Sequence, residues 1–203
     1  MNLAGNHNPL PALPGFNQVR RYWDPKFTKI TARVNPGEIY VTEHEENIHT
    51  ALGSCIAACI RDRNKGIGGM NHFMLPSGTS GSSIDKSCYG VAAMERLVNA
   101  IYSNGGKRWA LEAKIFGGAE LLGFTDGGVG AENVEFVREF LDKERIPVVS
   151  EDVGGTESRQ VIYFVPCGRA LVKATCVEEV GKQQRNYQKE LKQQEWSGDV
   201  ELF

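Results

Sequence analysis

Most of this chain consists of short strand-like segments, and only two segments show helical spacing. Apolar runs of strand length, bounded by turn residues, predict seven strands between residues 38 and 175. The first predicted helix covers residues 87–103, where Met94, Leu97, Val98 and Ile101 repeat at helical spacing, and the second opens near Ala131. This pattern predicts an α+β layered domain in which β-sheets pack together and helices cover one face. The predicted strands are residues 38–42, 55–61, 67–75, 111–116, 146–150, 160–165 and 170–175.

The chain of 203 residues fits one domain with an extension at each end. Residues 1–34 are polar and proline-rich, and we interpret them as an N-terminal extension. Residues 35–178 form the predicted domain, within which residues 43–49 read as a short polar link. Residues 179–203 are predicted to be a polar C-terminal helix or tail, because residues 182–194 are polar nearly all round.

Charge and hydropathy exclude several classes of function. The net charge of −2 and pI near 6.1 provide no basic face for nucleic acid and no polybasic patch for a membrane surface. No apolar run approaches the roughly 18 residues of a spanning helix, and the N-terminus lacks the pattern of a secretory signal. An odd number of cysteines, five, argues against a disulfide framework. We therefore expect a cytoplasmic protein with no nucleic-acid partner and no membrane insertion.

Cys55 is the candidate nucleophile. Most cysteines behave as small buried hydrophobes, and this interpretation is kept for the other four, Cys59, Cys88, Cys167 and Cys176. Cys55 differs because it follows Leu-Gly-Ser at the start of a predicted strand, where we expect an accessible thiol. Glycine and serine before it permit a tight backbone path whose N–H groups can stabilise an oxyanion.

His72 is the candidate base for that thiol. It follows two glycines in the next predicted strand, and an imidazole there can take the thiol proton and later protonate a leaving amine. A third group usually orients the base, and Thr50 and His49 are the two candidates close to Cys55 in sequence. Asn71 is a weaker partner, because adjacent residues of a strand point to opposite faces.

Zinc chemistry is an alternative use of the same residues. Cys55, Cys59 and His72 supply three ligand types, but their spacing matches no common zinc pattern and no paired fourth ligand is evident. The chain also contains no phosphate loop, no dinucleotide-binding fingerprint and no G-x-S-x-G elbow. We therefore predict no metal and no cofactor.

A set of motifs in fixed order resembles the CheD family, the chemoreceptor glutamine deamidases of bacterial chemotaxis. The resemblance extends from about Gly37 to Thr175. The matching motifs are Leu52-Gly53-Ser54-Cys55, Gly69-Met70-Asn71-His72-Phe73-Met74-Leu75-Pro76, Glu112-Ala113-Lys114-Ile115-Phe116-Gly117-Gly118-Ala119, Gly130-Ala131-Glu132-Asn133-Val134 and Glu151-Asp152-Val153-Gly154-Gly155.

The resemblance implies an α/β/β layered fold and specific catalytic residues. The family's catalytic cysteine corresponds to Cys55 and its histidine to His72, while its threonine corresponds to Thr50, with His49 as the competing assignment. The implied substrate is a glutamine side chain of a methyl-accepting chemotaxis receptor, deamidated to glutamate through a thioester. The same residues can hydrolyse a glutamate methyl ester, and a CheC-type chemotaxis phosphatase is an implied partner. The alternative is a non-catalytic module that docks on a receptor or on such a phosphatase.

Overall fold

Two five-stranded β-sheets pack face to face, and helices cover the outer face of one of them. A computed structural model describes residues 8–75, 83–120 and 128–175 together with Val180. The α+β layered fold predicted from the sequence is therefore confirmed. In the part of the chain that the structure describes, no helix is long and apolar enough to cross a membrane.

Strands of the first sheet are β1 (Arg20–Asp24), β2 (Lys29–Arg33), β4 (Asn47–Leu52), β9 (Ser158–Phe164) and β10 (Arg169–Thr175). Strands of the second sheet are β3 (Ile39–Thr42), β5 (Ile56–Asp62), β6 (Gly68–Asn71), β7 (Leu111–Gly117) and β8 (Val148–Val153). The first sheet has the order β1-β2-β4-β9-β10, and its β2 and β4 run parallel. The second sheet has the order β3-β6-β5-β7-β8, and its β7 and β8 run parallel.

The helix layer lies against the second sheet. Helix α1 (Ser83–Ser103) packs on β3, β5 and β6, and helix α2 (Val129–Lys143) packs on β5, β7 and β8. The apolar residues that predicted the first helix are all buried in it. The buried side of α2 is formed by Gly130, Asn133, Val134, Val137 and Leu141. Asn133 is the one polar side chain in that row.

Two features of the first sheet differ from the sequence analysis. The segment read as a polar link ends in a strand, because β4 begins at Asn47 and alternates buried with half-buried residues. The predicted N-terminal extension, residues 1–34, contains β1 and β2. Four apolar residues of this extension belong to the hydrophobic core: Phe16, Val19, Ala32 and Val34. The polarity of these strands concealed them, since only one face of each is apolar. The predicted C-terminal helix at residues 182–194 lies outside the described residues.

Candidate active site

Cys55 lies in the bend between β4 and β5, directly before the first residue of β5. The loop after β7 holds this bend, because Gly118 N donates to Cys55 O and Ala119 N donates to Gly53 O, each at 2.8 Å. Gly117 has φ 110°, and a Cβ on it would lie 2.1 Å from Cys55 O. The close approach of the two loops therefore requires glycine at that position.

The thiol is buried, which corrects the expectation of an accessible cysteine. Cys55 has 0% relative exposure. The prediction was wrong because it treated Cys55 as the free end of a strand. In the fold, this end of β5 is covered on one side by the loop after β7 and is paired on the other with the segment that carries His72.

His72 follows β6 and is brought beside Cys55 by a single pair of backbone hydrogen bonds. Ile56 and Phe73 exchange both of their N–H···O bonds at 2.9 Å, which makes them directly opposite residues of an antiparallel pair. His72 and Cys55 are then diagonal neighbours on one face, with Cβ atoms about 7 Å apart in the usual geometry. This separation is within reach of an imidazole and a thiol that turn toward each other.

Thr50 contacts His72 from the opposite sheet. Its Oγ1 lies 2.8 Å from Val34 O and 2.8 Å from His72 Nδ1. A hydroxyl has one proton, and the Val34 carbonyl can only accept, so Thr50 Oγ1 donates to Val34 and accepts from His72 Nδ1–H. In the neutral ring Nε2 is then unprotonated, as a base requires. The acceptor of the Thr50 hydroxyl is a backbone carbonyl, so no side-chain pattern in the sequence could have predicted this hydrogen bond.

His49, the competing candidate, points away from this group. Ile48, Thr50 and Leu52 form the inner side of β4, and His49 lies on the other side, where it is half-buried. Burial and the nearby Arg33 lower the pKa of His49. Among the described residues its Nδ1 has no hydrogen-bond partner. The structure thus brings Thr50, and not His49, to His72.

The environment of His72 keeps its ring neutral. Its relative exposure is 2%, and burial lowers its pKa to about 4, although the Val34 carbonyl opposes this shift. Within the described residues, Nε2 is buried without a hydrogen-bond partner. At neutral pH the ring therefore presents an unprotonated, buried Nε2 between the sheets, on the face that also carries Cys55.

The lowered pKa of His72 predicts how the free energy of unfolding depends on pH. Between pH 6.5 and about 4 the unfolded His72 binds a proton that the folded ring does not, so stability falls as pH falls through this window. From pH 7 to pH 5 this loss amounts to about 2 kcal/mol. Urea unfolding of the wild type and of His72→Gln at both pH values measures it. We expect the variant to lose less stability on acidification, and equal losses would contradict the neutral, buried ring.

The other predicted residues lie apart from this group. Cys59 is fully buried in β5, and burial raises the pKa of its thiol above the usual range, whereas Cys167 is exposed. Asn71 points to the opposite side of the strand from His72, as predicted; its Nδ2 donates to Ala93 O in the helix layer, and its Oδ1 accepts from Ala58 N. The described residues contain no group of three or more potential metal ligands. The side chain of Cys88, and all of Cys176, lie outside the described residues.

A cysteine beside a histidine whose other ring nitrogen contacts a threonine has the arrangement of nucleophile, base and orienting group that cysteine hydrolases use. The family profile described as CheD chemotactic sensory transduction matches residues 74–174. Similar proteins named probable chemoreceptor glutamine deamidase CheD also cover the candidate site. The one from Saccharophagus degradans is 45% identical over 95% of this chain and 94% of its own length. Those from Halorhodospira halophila and Hahella chejuensis are 43% and 42% identical, covering 94% and 96% of this chain and 93% and 95% of their own lengths.

The chain belongs to the CheD family. The resemblance stated from its motifs is therefore confirmed. The family profile begins at Met74, after the candidate site residues, so the stretch from Thr50 to His72 is covered by the full-length relatives alone.

Proposed function

We propose that this protein is a cysteine hydrolase that deamidates specific glutamine side chains of methyl-accepting chemotaxis receptors to glutamate. The hydrogen bond from His72 Nδ1–H to Thr50 Oγ1 supports this proposal most directly, because it fixes the tautomer that a base for Cys55 needs. The printed names of the relatives support the substrate class. The receptor's cytoplasmic region is the proposed site of action, so the protein would work in the cytoplasm.

The chemistry follows from the residues. His72 Nε2 takes the thiol proton, and the Cys55 sulfur attacks the carboxamide carbon to form a tetrahedral oxyanion. The protonated His72 then gives its proton to the departing nitrogen, so that ammonia leaves and a γ-glutamyl thioester remains. Water, deprotonated by His72, attacks the thioester, which releases glutamate and regenerates the thiol. These steps use no metal and no cofactor.

The same attack can displace methanol from a glutamate methyl ester, since only the leaving group differs. We include this methylesterase activity in the proposal. A CheC-type phosphatase is the proposed regulatory partner, from the family resemblance. Size-exclusion chromatography of the two purified proteins tests the second point, because a complex elutes earlier than either protein alone.

The burial of Cys55 favours one competing function, a module that docks on a receptor without chemistry. A thiol with no exposed surface is reached by a glutamine side chain only after neighbouring groups move. Iodoacetamide separates the two functions. An activated Cys55 is expected to alkylate faster near neutral pH than Cys59, whose pKa is raised by burial. Equal slow rates at both cysteines would favour docking alone.

Mass spectrometry of a purified receptor cytoplasmic fragment tests the proposed function. Exchange of the carboxamide nitrogen for oxygen adds about one dalton at each modified glutamine. We expect this gain at a few defined glutamines after incubation with the wild type, and at none in the buffer control. A fragment whose glutamines all remain unchanged would overturn the proposed activity.

Thr50→Val tests the orienting hydrogen bond. Valine has the shape of threonine but cannot accept from His72 Nδ1–H, so the ring loses the contact that selects its tautomer and orientation. We expect kcat to fall by about 10- to 100-fold, and Thr50→Ser to retain most activity. Thr31→Val, at a fully buried threonine of β2, controls for loss of a buried hydroxyl. Equal effects of the two valine variants would remove Thr50 from the mechanism.

A further inference from the structure

The side chain of Asn133 connects the two segments that carry Cys55 and His72. Its Nδ2 donates to Ser54 O at 2.7 Å, and its Oδ1 accepts from Leu75 N at 2.7 Å. Asn133 lies on the buried side of α2 and has 0% relative exposure. Both polar groups of one amide are thus used, each on the backbone of a different active-site segment.

These two contacts lie very close to the reacting groups along the chain. Ser54 directly precedes Cys55, and Leu75 follows His72 by three residues. The Ile56–Phe73 pair joins the same two segments from within the second sheet. Asn133 adds a second connection from the helix layer. It joins Ser54 to Leu75, which lie just beyond the Ile56–Phe73 pair, outside the first residue of β5. The relative position of the thiol and the imidazole therefore depends on a helix that contributes neither of them.

We propose that Asn133 is a positioning residue, whose side chain fixes the Ser54–Cys55 peptide relative to the segment carrying His72. The C=O and N–H of a trans peptide point in opposite directions, and no described peptide bond is cis. A Ser54 carbonyl held by α2 therefore directs the Cys55 N–H away from the helix layer, toward the face of the sheet on which His72 meets Thr50. This orientation suits stabilisation of an oxyanion formed on the carbon that Cys55 attacks.

Asn71 makes a comparable pair of contacts elsewhere in this fold. It is also fully buried, its Oδ1 accepts from Ala58 N at 2.9 Å, and its Nδ2 donates to Ala93 O at 3.2 Å. Asn71 thus fastens β5 to α1 with the same pair of groups. The chemistry of the two asparagines is alike, and the difference is that Asn133 fastens the residue directly before the nucleophile.

Two variants of Asn133 separate positioning from folding, with a third as the control. Asn133→Asp has the same shape and keeps an acceptor for Leu75 N, but it cannot donate to Ser54 O once its carboxyl is ionised. Burial favours the protonated carboxyl, so this variant is compared with the wild type at pH 6 and at about pH 9. Asn133→Leu removes both contacts at similar volume. Val137→Ala lies one turn further along the same buried side of α2 and loses packing, and valine has no polar side-chain group that could hold either segment. Urea unfolding ranks the stabilities, and all kinetics are run where each variant is fully folded.

This inference rests on the proposed deamidase activity, so its readout is the steady-state kinetics of deamidation of the receptor fragment. We expect Asn133→Leu, and Asn133→Asp at the pH where its carboxyl is ionised, to lower kcat by about 10- to 100-fold, as small displacements of catalytic groups do, while KM stays within about twofold. Val137→Ala is expected to keep the wild-type kcat. A kcat of either Asn133 variant equal to that of Val137→Ala would overturn the positioning role.

A substrate-free measurement keeps this inference distinct from the proposed function. If the wild type leaves the receptor fragment unchanged, the proposed function fails, and iodoacetamide alkylation of Cys55 still tests the geometry. We expect alkylation in Asn133→Leu to be slower than in the wild type by at least about fivefold, because a displaced thiol loses its base. An unchanged or faster rate would mean that Asn133 contributes only to the packing around Cys55 and does not position its thiol.

Discussion

Cys55→Ala is expected to abolish deamidation, lowering kcat by at least about 10⁴-fold, the scale seen when a covalent nucleophile is removed. The sulfur forms the bond that every later step depends on. Among the described residues, the other thiol on this face of β5 is Cys59, which lies four residues further along the strand, away from the loop after β7. Ammonia release from a receptor fragment, followed with a coupled assay, measures the loss. Binding of the fragment should persist, because the thiol is only one small buried group.

Cys59→Ala is the matched control for that variant. Cys59 belongs to the same strand, has the same 0% exposure, and loses the same atom on substitution. We expect a lower stability and an unchanged kcat. If Cys55→Ala retained wild-type turnover, or if both variants lost activity to the same extent, the assignment of Cys55 as nucleophile would be wrong.

His72→Gln is expected to lower kcat by about 10³-fold, within the range for loss of a general acid–base group. Glutamine can donate a hydrogen bond toward Thr50, but it cannot take the thiol proton or return it to the leaving nitrogen. Because burial lowers the pKa of His72 to about 4, the ring is already in its basic form at neutral pH. The wild type is therefore expected to stay active down to about pH 5, and to lose activity as pH approaches the pKa of the ring.

His49→Gln tests the competing residue in the same assay. His49 is adjacent to Thr50 in sequence but lies on the other side of β4. We expect its variant to keep kcat within about twofold of the wild type, as for substitutions that touch no reacting group. A large loss in His49→Gln together with a small loss in Thr50→Val would reverse the assignment of the third residue.

The sequence was sufficient for the fold class because hydrophobic periodicity is a local property. Residues 94–101 repeat at helical spacing, and they form the buried side of α1. The same local signals missed β4, because its apolar residues Ile48 and Leu52 alternate with His49, Thr50 and Ala51 and follow a charged stretch. They also missed β1 and β2, whose pairing with β4 depends on residues far away along the chain.

The sequence offered candidate residues for the site but not their geometry. The motifs around Cys55 and His72 singled out both residues as candidates, yet the choice between Thr50 and His49 depends on which side of β4 faces the second sheet. A difference of one residue reverses that side, and sequence spacing alone does not determine it. The burial of Cys55 was also not predictable from local sequence, because the loop after β7 that covers it is more than sixty residues away along the chain.

The two contacts of Asn133 illustrate the same limit. The motif containing Asn133 was recognised as part of the family pattern, but a pattern in one chain does not say which backbone groups an amide meets. Its partners, Ser54 and Leu75, lie in two other segments that come together only when the helix layer packs on the second sheet. Such long-range contacts follow from tertiary structure, and they were open to prediction only through the fold itself.

The most direct measurement of the central claim is trapping of the γ-glutamyl thioester on Cys55 with hydroxylamine. Hydroxylamine competes with water for a thioester, so the modified glutamine becomes a glutamyl hydroxamate instead of a glutamate, and mass spectrometry distinguishes the two products. With the wild type and a receptor fragment, we predict that the hydroxamate fraction rises with hydroxylamine concentration, and that Cys55→Ala forms neither product. Release of ammonia with glutamate as the sole product at every hydroxylamine concentration would contradict a covalent intermediate on Cys55.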